Sequence, residues 1–228
     1  MSPLRPFLNS VINLIYPNRC AVCKVDTDPD RDNPVCEGCW GKVEKNPSPY
    51  CIRCEKRNPN HYFTTAWAPC HYDGVARECI HIFKYRGKVS LAKPLGQLMA
   101  DFAMGHLNDY TIDMIIPVPL HSSKKREREF NQAELLSKPV ARTLNLPIVT
   151  NNLRRIRSTL PQSNLNSKEE KFTNIKGAFK LTHPSELKGK GVLLIDDLFT
   201  SGSTVNECSK TLLEAGAQNI MVLALARG

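Results

Sequence analysis

The sequence predicts an α/β fold, in which an open parallel sheet flanked by helices follows a small cysteine-rich module. Three observations support this. Residues 192–225 carry a complete strand–helix–strand pattern, residues 114–116 form a short run that is apolar at every position, and residues 20–54 hold three C-x2-C pairs. Continuous apolar character is typical of a strand buried on both faces of a parallel sheet. Strands that alternate with helices imply a parallel α/β sheet.

Length and composition agree with one large domain and one small one. The chain has 228 residues, of which 41% are apolar and 23% charged, as is ordinary for globular proteins. Residues 17–60 are rich in cysteine, proline, asparagine and charge, so they bury too little apolar surface to fold unaided. We therefore expect residues 1–62 to form the small module and residues 63–228 the sheet domain.

The elements of the sheet domain follow one another along the chain. Short aliphatic runs predict strands near residues 64–72, 114–116, 148, 192–195 and 220–225. Helical patterns cover residues 75–83, 91–107, 132–144 and 203–214. The polar stretch 154–174 lacks strong periodicity, and we expect a mobile loop there.

The first two cysteine pairs have the spacing of a metal site. Cys20-x2-Cys23-x12-Cys36-x2-Cys39 predicts a structural zinc ribbon, which needs four thiolates in a closed tetrahedron around Zn²⁺. The bound metal would supply the folding free energy that this segment lacks. The alternative is that the cysteines are free or redox-active, but the segment would then lack a source of folding free energy.

The other five cysteines fall into two groups. Cys51 and Cys54 form a third pair without an obvious fourth, and they are a candidate second zinc site. Cys70 lies in a predicted strand and Cys79 and Cys208 lie in helices, where we expect all three to be buried as small apolar residues.

Charge and cysteine usage bear on compartment and partners. Paired cysteines of this kind indicate metal in a reducing compartment rather than secreted disulfides. The apolar stretch 11–15 is far below the roughly 20 residues that span a bilayer, so we expect a cytoplasmic protein with no transmembrane segment and at most peripheral membrane contact. A formal net charge of +9 favours polyanionic partners, either phosphorylated metabolites or nucleic acid.

The most specific motif follows the strand at residues 192–195. Asp196 and Asp197 come directly after it, and next comes a turn formed by Thr200, Ser201, Gly202, Ser203 and Thr204. Ligands of open parallel sheets bind beyond the carboxyl ends of the strands, where two carboxylates can accept hydrogen bonds from the vicinal hydroxyls of a ribose. The turn, at the positive end of the following helix, can hold a phosphate. A plain strand end before a capped helix is the alternative, but it leaves two adjacent acids unexplained.

This motif resembles the signature with which type I phosphoribosyltransferases bind phosphoribosyl pyrophosphate (PRPP). More narrowly, nearly the whole chain resembles the competence protein F (ComF, ComFC or GntX-like) family. The resemblance rests on the C-x2-C pairs, Tyr72-Asp73-Gly74, Lys84-Tyr85-Arg86-Gly87, Pro117-Val118-Pro119-Leu120-His121, Phe130-Asn131-Gln132 and residues 157–162. Glu129 stands where that family usually has glycine.

The resemblance implies a binding mode for PRPP. Its ribose would meet Asp196 and Asp197, its 5′-phosphate the 200–204 turn, and its pyrophosphate the turn made by Pro117, Val118, Pro119, Leu120 and His121. Mg²⁺ would accompany PRPP and bridge its hydroxyls and pyrophosphate oxygens. We assign no catalytic residue, and we interpret His121 as a polar loop residue rather than an acid or base.

Residues on the predicted loop complete the expected site. The resemblance implies that the 154–174 stretch closes over the ligand, with Arg157, Thr159 and Gln162 as candidates for contact. On charge grounds alone, further basic residues could serve the anion: Lys124, Lys125, Arg126, Arg128, Arg154 and Arg155.

Two functions remain open from the sequence. Membership of the competence family implies uptake and handling of single-stranded DNA, with DNA and other DNA-uptake proteins as partners, and with phosphoribosyl transfer as a retained component. Trp40, Tyr50 and Trp67 would then suit stacking on bases, although each of them is more often a packing residue of a small ribbon. The alternative is a metabolic phosphoribosyltransferase that joins PRPP to a nitrogenous acceptor and has no DNA role.

Overall fold

The computed structural model describes residues 18–28, 32–46, 61–159 and 167–228. The helices are α1 (Glu37–Trp40), α2 (Gly74–Tyr85), α3 (Ala92–His106), α4 (Ser122–Arg128), α5 (Gln132–Leu144), α6 (Lys168–Ile175) and α7 (Ser203–Glu214). The strands are β1 (Thr65–Trp67), β2 (Cys70–His71), β3 (Met114–Pro117), β4 (Leu153–Arg155), β5 (Phe179–Leu181), β6 (Gly191–Phe199) and β7 (Asn219–Arg227). None of the helices in these ranges is long and apolar enough to cross a membrane.

The predicted parallel sheet is confirmed. Its strand order is β1-β7-β6-β3, with β2 also pairing with β7, and each of these pairs is parallel. The weak strand expected near residue 148 is a single parallel bridge between Ile115 and Ile148. The strand expected over residues 64–72 is broken into β1 and β2.

Strand β6 is central and is buried on both faces. Leu193 and Ile195 pack into one hydrophobic cluster, whereas Val192 and Leu194 pack into the cluster on the opposite face. All four are fully buried, which explains why the sequence is apolar at every position here. The strand therefore holds the two carboxyl groups at its end on a rigid support.

The loop expected over residues 154–174 holds for residues 156–159, which belong to no helix or strand, but it was wrong at both ends of the stretch. It begins inside β4, which pairs antiparallel with β5, and it ends inside α6. Helix α6 starts with a capping box, because Ser167 and Glu170 each accept the other's backbone N–H. This S-x-x-E pattern is a recognised helix start, but the helix it opens carries little apolar periodicity. Gln162 lies outside the described residues.

The cysteine-rich module packs on the sheet domain. Cys20, Val35, Cys39 and Val43 belong to the same hydrophobic cluster as the buried side chains of α2 and α3. Cys70, Cys79 and Cys208 are almost fully buried, which confirms that they are core residues.

Candidate functional site

A cavity of about 400 Å³ lies at the carboxyl end of β6. Asp196, Asp197 and Leu198 line it from the strand, and Thr200 and Thr204 line it from the turn that follows. The volume is suited to a small ligand. This is the edge of the sheet where the sequence predicted a ligand site.

The 200–204 turn has the backbone that the sequence predicted. Gly202 adopts a left-handed φ of 73° and is the N-cap of α7. An added Cβ would lie 2.9 Å from Cζ of Phe199, so the turn favours glycine both conformationally and sterically. Ser201 and Ser203 lie 2.9 Å apart through their hydroxyl oxygens. Thr204, in the first turn of α7, lines the cavity, so the positive end of this helix lies at the cavity edge.

The two carboxyl groups differ in their surroundings. Asp197 is 9% exposed, and its Oδ1 forms an ion pair with Nζ of Lys84 at 2.7 Å. Asp196 accepts the backbone N–H of Asp197 at 2.8 Å. Burial, followed by the charge of Asp197, raises the pKa of Asp196 to about 7. The pair therefore carries less than two full negative charges near neutral pH.

Lys84 is one of the cavity residues that sequence reasoning did not predict. It lies in the last turn of α2, far along the chain from the acids it meets. Burial lowers its pKa, but Asp197 and, more weakly, Asp196 offset this, so the Lys84 pKa is raised overall. Its motif is one of the features that carry the family resemblance, yet no local pattern could show that it reaches Asp197.

Positive side chains surround the rest of the cavity. Lys124, Arg128 and Arg155, which the sequence suggested on charge alone, line it, and Lys171 of α6 lines it as well. Lys125, Arg126 and Arg154 do not line it. Together with Lys84, these four side chains place five cations around two carboxyl groups. The cavity is therefore suited to an anionic ligand.

The 117–121 turn is held from two sides. Val118 donates its N–H to the carbonyl of Ile195 at 2.8 Å, and its own carbonyl accepts Nδ2 of Asn131 at 3.0 Å. Val118, Pro119 and Leu120 line the cavity, while Pro117 ends β3. The ring of His121 accepts the N–H of Ser123 and so caps α4, in agreement with its interpretation as a polar loop residue.

Two buried polar atoms in the cavity wall lack hydrogen-bond partners among the described residues. They are Nε2 of Gln132 and Nε of Arg155. Gln132 is only 1% exposed, and a buried donor left without a partner costs about 1–3 kcal/mol. A polar ligand in the cavity would satisfy such donors.

The residues expected on the loop are placed differently. Arg157 donates to the backbone carbonyls of Asn174 and Lys176, and Thr159 accepts from the guanidinium of Arg155. Neither of the two lines the cavity. In this conformation Arg157 connects its segment to the end of α6, and Thr159 orients Arg155.

The four cysteines of the first two pairs meet at one point. The sulfur atoms of Cys20, Cys23, Cys36 and Cys39 all lie within 4.8 Å of one another. A tetrahedron with Zn–S bonds of about 2.3 Å has sulfur atoms about 3.8 Å apart, and Cys23 and Cys36 are separated by 3.6 Å. Four sulfur donors at this spacing fit Zn²⁺.

The surroundings of Cys20 favour its thiolate. Burial raises its pKa, but backbone N–H donors, with Cys36 first, outweigh this and lower the pKa to about 6. The N–H of Cys36 lies 3.3 Å from the sulfur of Cys20. Cys51 and Cys54 lie outside the described residues, so a second zinc site stays a prediction.

Of the aromatic residues considered for stacking on DNA, the structure describes Trp40 and Trp67. Trp67 is only 2% exposed and packs edge-on against Tyr110, and Trp40 packs partly buried against the core. Both residues therefore follow the packing alternative, since Trp67 belongs to the core cluster and Trp40 packs against it. Tyr50 lies outside the described residues. The exposed aromatic beside the cavity is Tyr85, at 63%.

Comparisons with known proteins agree with both parts of the fold. Residues 11–80 match the family model of the double zinc ribbon domain, and residues 128–228 match that of the phosphoribosyl transferase domain. The DNA utilization protein YhgH of Shigella flexneri is 31% identical, over 91% of this chain and 89% of its own. Competence protein F of Haemophilus influenzae is 29% identical, over 92% and 96%. Competence protein ComFC of Bacillus subtilis is 24% identical, over 81% and 80%.

Proposed function

Because the chain belongs to the family of competence protein F, ComFC and DNA utilization protein YhgH, as its motifs indicated, we propose that it binds PRPP and acts in the uptake and handling of single-stranded DNA. The chain itself matches a zinc ribbon model and a phosphoribosyl transferase model. One observation carries the PRPP half of the proposal: two carboxyl groups at the end of β6 and the glycine turn after them border one strongly cationic cavity.

Each part of the cavity has a role in this proposal. Asp196 and Asp197 accept hydrogen bonds from the ribose hydroxyls, and the 200–204 turn holds the 5′-phosphate at the start of α7. The pyrophosphate lies against the 117–121 turn, where Lys124, Arg128 and Arg155 neutralise it. Mg²⁺, which the resemblance implies, would be held by oxygens of PRPP rather than by the carboxyl groups of the protein.

Calorimetric titration of PRPP with Mg²⁺ tests this site. We expect the wild type to bind and the double variant Asp196→Ala/Asp197→Ala to lose binding at least tenfold. Asp113→Ala is the matched control, since Asp113 pairs with Lys190 away from the cavity. Equal binding by the wild type and the double variant would show that the site is misplaced.

A second concave surface supports the DNA half of the proposal. It has a volume of about 440 Å³ and includes Arg19, Lys24, Arg86 and Lys88 in its wall, with no acidic residue. It lies between the cysteine module and the end of α2. Basic groups that follow the phosphate backbone are typical of single-strand binding.

The salt dependence of single-stranded DNA binding tests this surface. Binding should weaken steeply with salt, and Arg86→Ala/Lys88→Ala should reduce the slope by about 0.7 for each DNA phosphate that the variant no longer neutralises. Lys138→Ala/Arg142→Ala, exposed on α5, removes the same charge and should leave the slope unchanged. Weak association that does not depend on DNA length would instead favour the metabolic transferase without a DNA role.

A further inference from the structure

The ion pair between Lys84 and Asp197 is built into the proposed PRPP site. Nζ of Lys84 lies 2.7 Å from Oδ1 of Asp197, and the two side chains are only 15% and 12% exposed. Both residues line the cavity. The lysine comes from α2, outside the strand and turn that form the acidic motif.

A buried ion pair of this kind is not explained by stability alone. Removing two charges from water costs several kcal/mol per ion, and an apolar pair of similar size is often as stable or more stable. Here the charges are retained at the wall of a cavity, where a ligand can meet both. The ion pair therefore contributes to the balance of positive and negative charge in the cavity rather than to stability.

The ammonium group already contacts an oxygen that a divalent cation would need as a ligand at the diacid. Mg²⁺ binds carboxylate oxygens at 2.0–2.1 Å and requires near-ideal octahedral geometry. An ammonium already hydrogen-bonded to Oδ1 of Asp197 repels such an ion and takes one of its ligands. The diacid thus fits Mg²⁺ poorly as a direct ligand set, although it remains able to accept hydrogen bonds from hydroxyl groups.

We infer that Lys84 supplies, at the diacid, the positive charge that a divalent cation would otherwise supply, so that PRPP binds without a requirement for Mg²⁺. This inference rests on the proposed function. Four further cations, Lys124, Arg128, Arg155 and Lys171, face the same cavity and neutralise the phosphate groups. The protein therefore carries its own counter-charge for the whole ligand.

Titration of PRPP with and without Mg²⁺ tests the inference. The divalent cation is removed from the buffers with a chelating resin before the protein is added, because a soluble chelator would also attack the four-thiol cluster. For the wild type we expect the two dissociation constants to agree within about threefold. For Lys84→Met we expect binding to weaken at least tenfold without Mg²⁺ and to recover partly when Mg²⁺ is added.

Two further variants separate charge from folding. Lys84→Arg keeps the charge and should bind without Mg²⁺ as the wild type does, and Lys125→Met removes an exposed lysine outside the cavity and should change nothing. Thermal unfolding of each free protein identifies a variant that fails to fold. A wild type that binds only with Mg²⁺, or a folded Lys84→Met that binds equally well without it, overturns the inference. A wild type that binds PRPP under neither condition overturns the proposed function itself.

Discussion

The cysteine module and the sheet domain hold their functional groups in place by different means. In the module, four sulfur atoms meet within 4.8 Å of one another, and only a few side chains around them are buried, such as Ala21, Val35 and Val43. In the sheet domain, the acids extend a strand whose four preceding residues are fully buried. The module therefore needs its metal to keep its shape, whereas the cavity needs only packing and a few specific backbone conformations.

Removal of one thiol should break the module and leave the cavity in place. Cys20 is fully buried, and structural zinc contributes about 10–16 kcal/mol in zinc-finger peptides. For Cys20→Ser we expect the loss of about one zinc equivalent and rapid proteolysis within residues 18–46, with the helical circular dichroism largely kept. Elemental analysis and limited proteolysis measure both effects.

Cys208→Ala is the control for that loss. Cys208 is equally buried but lies in α7 of the sheet domain, so the variant should keep its zinc and lose only about 1 kcal/mol of unfolding free energy. If Cys20→Ser kept full zinc content and protease resistance, the four sulfur atoms would not be the ligands.

The cavity, in contrast, should depend on a single glycine. Ala at position 202 would have to adopt a φ of 73° and would place its Cβ 2.9 Å from the ring of Phe199. Together these effects should lower the unfolding free energy of Gly202→Ala by about 2 kcal/mol and weaken PRPP binding. Gly105→Ala in α3, where an added Cβ meets nothing within 4 Å, should be neutral or slightly stabilising in the same urea titration. Equal effects of the two substitutions would show that the 200–204 turn is not strained.

Sequence-based prediction succeeded where the signal is local and failed where it depends on contacts between distant parts of the chain. The path from β6 through the turn to α7 was predicted because every signal for it lies within one stretch of sequence. Lys84 was missed because only the folded chain brings α2 to Asp197. Helix α4 was missed because it buries no residue, and without an apolar face it has no periodicity to detect.

The acidic residues of the site should also lower the unfolding free energy of the sheet domain. The pKa of Asp196 is about 7 in the folded protein, because of burial and then Asp197, against about 3.8 as its ordinary value. Between these values the folded state binds more protons than the unfolded state, so the stability of the wild type falls as the pH rises from about 4 to 7. Asp196→Asn stays neutral in both states and should lose this fall, which amounts to roughly 1–2 kcal/mol after allowance for the solvated side of the cavity.

Urea titrations of both proteins at pH 5 and pH 8 measure that difference. The pKa of Asp113 is shifted in the opposite direction from that of Asp196. Hydrogen bonds from the N–H of Gly191 and from Lys190 lower the pKa of Asp113. Its contribution is present above the unfolded pKa and is lost as the pH falls, so Asp113→Asn should be less stable than the wild type at both pH values. A parallel pH dependence of Asp196→Asn and the wild type would mean that Asp196 is not perturbed.

The smallest expected effect concerns strain on the other side of the cavity. Glu129 follows α4 with φ 65° and ψ −15°, a left-handed conformation that costs a residue with a side chain about 1 kcal/mol or more. The glycine that the family resemblance leads us to expect there would avoid this cost. Part of the gain from glycine is lost to its greater freedom in the unfolded chain, so Glu129→Gly should stabilise the protein by about 0.5 kcal/mol. Asn145, also left-handed with φ 53°, tolerates this conformation better, so Asn145→Gly should gain less in the same urea titration. A destabilised Glu129→Gly would mean that the glutamate side chain, rather than the backbone, determines this turn.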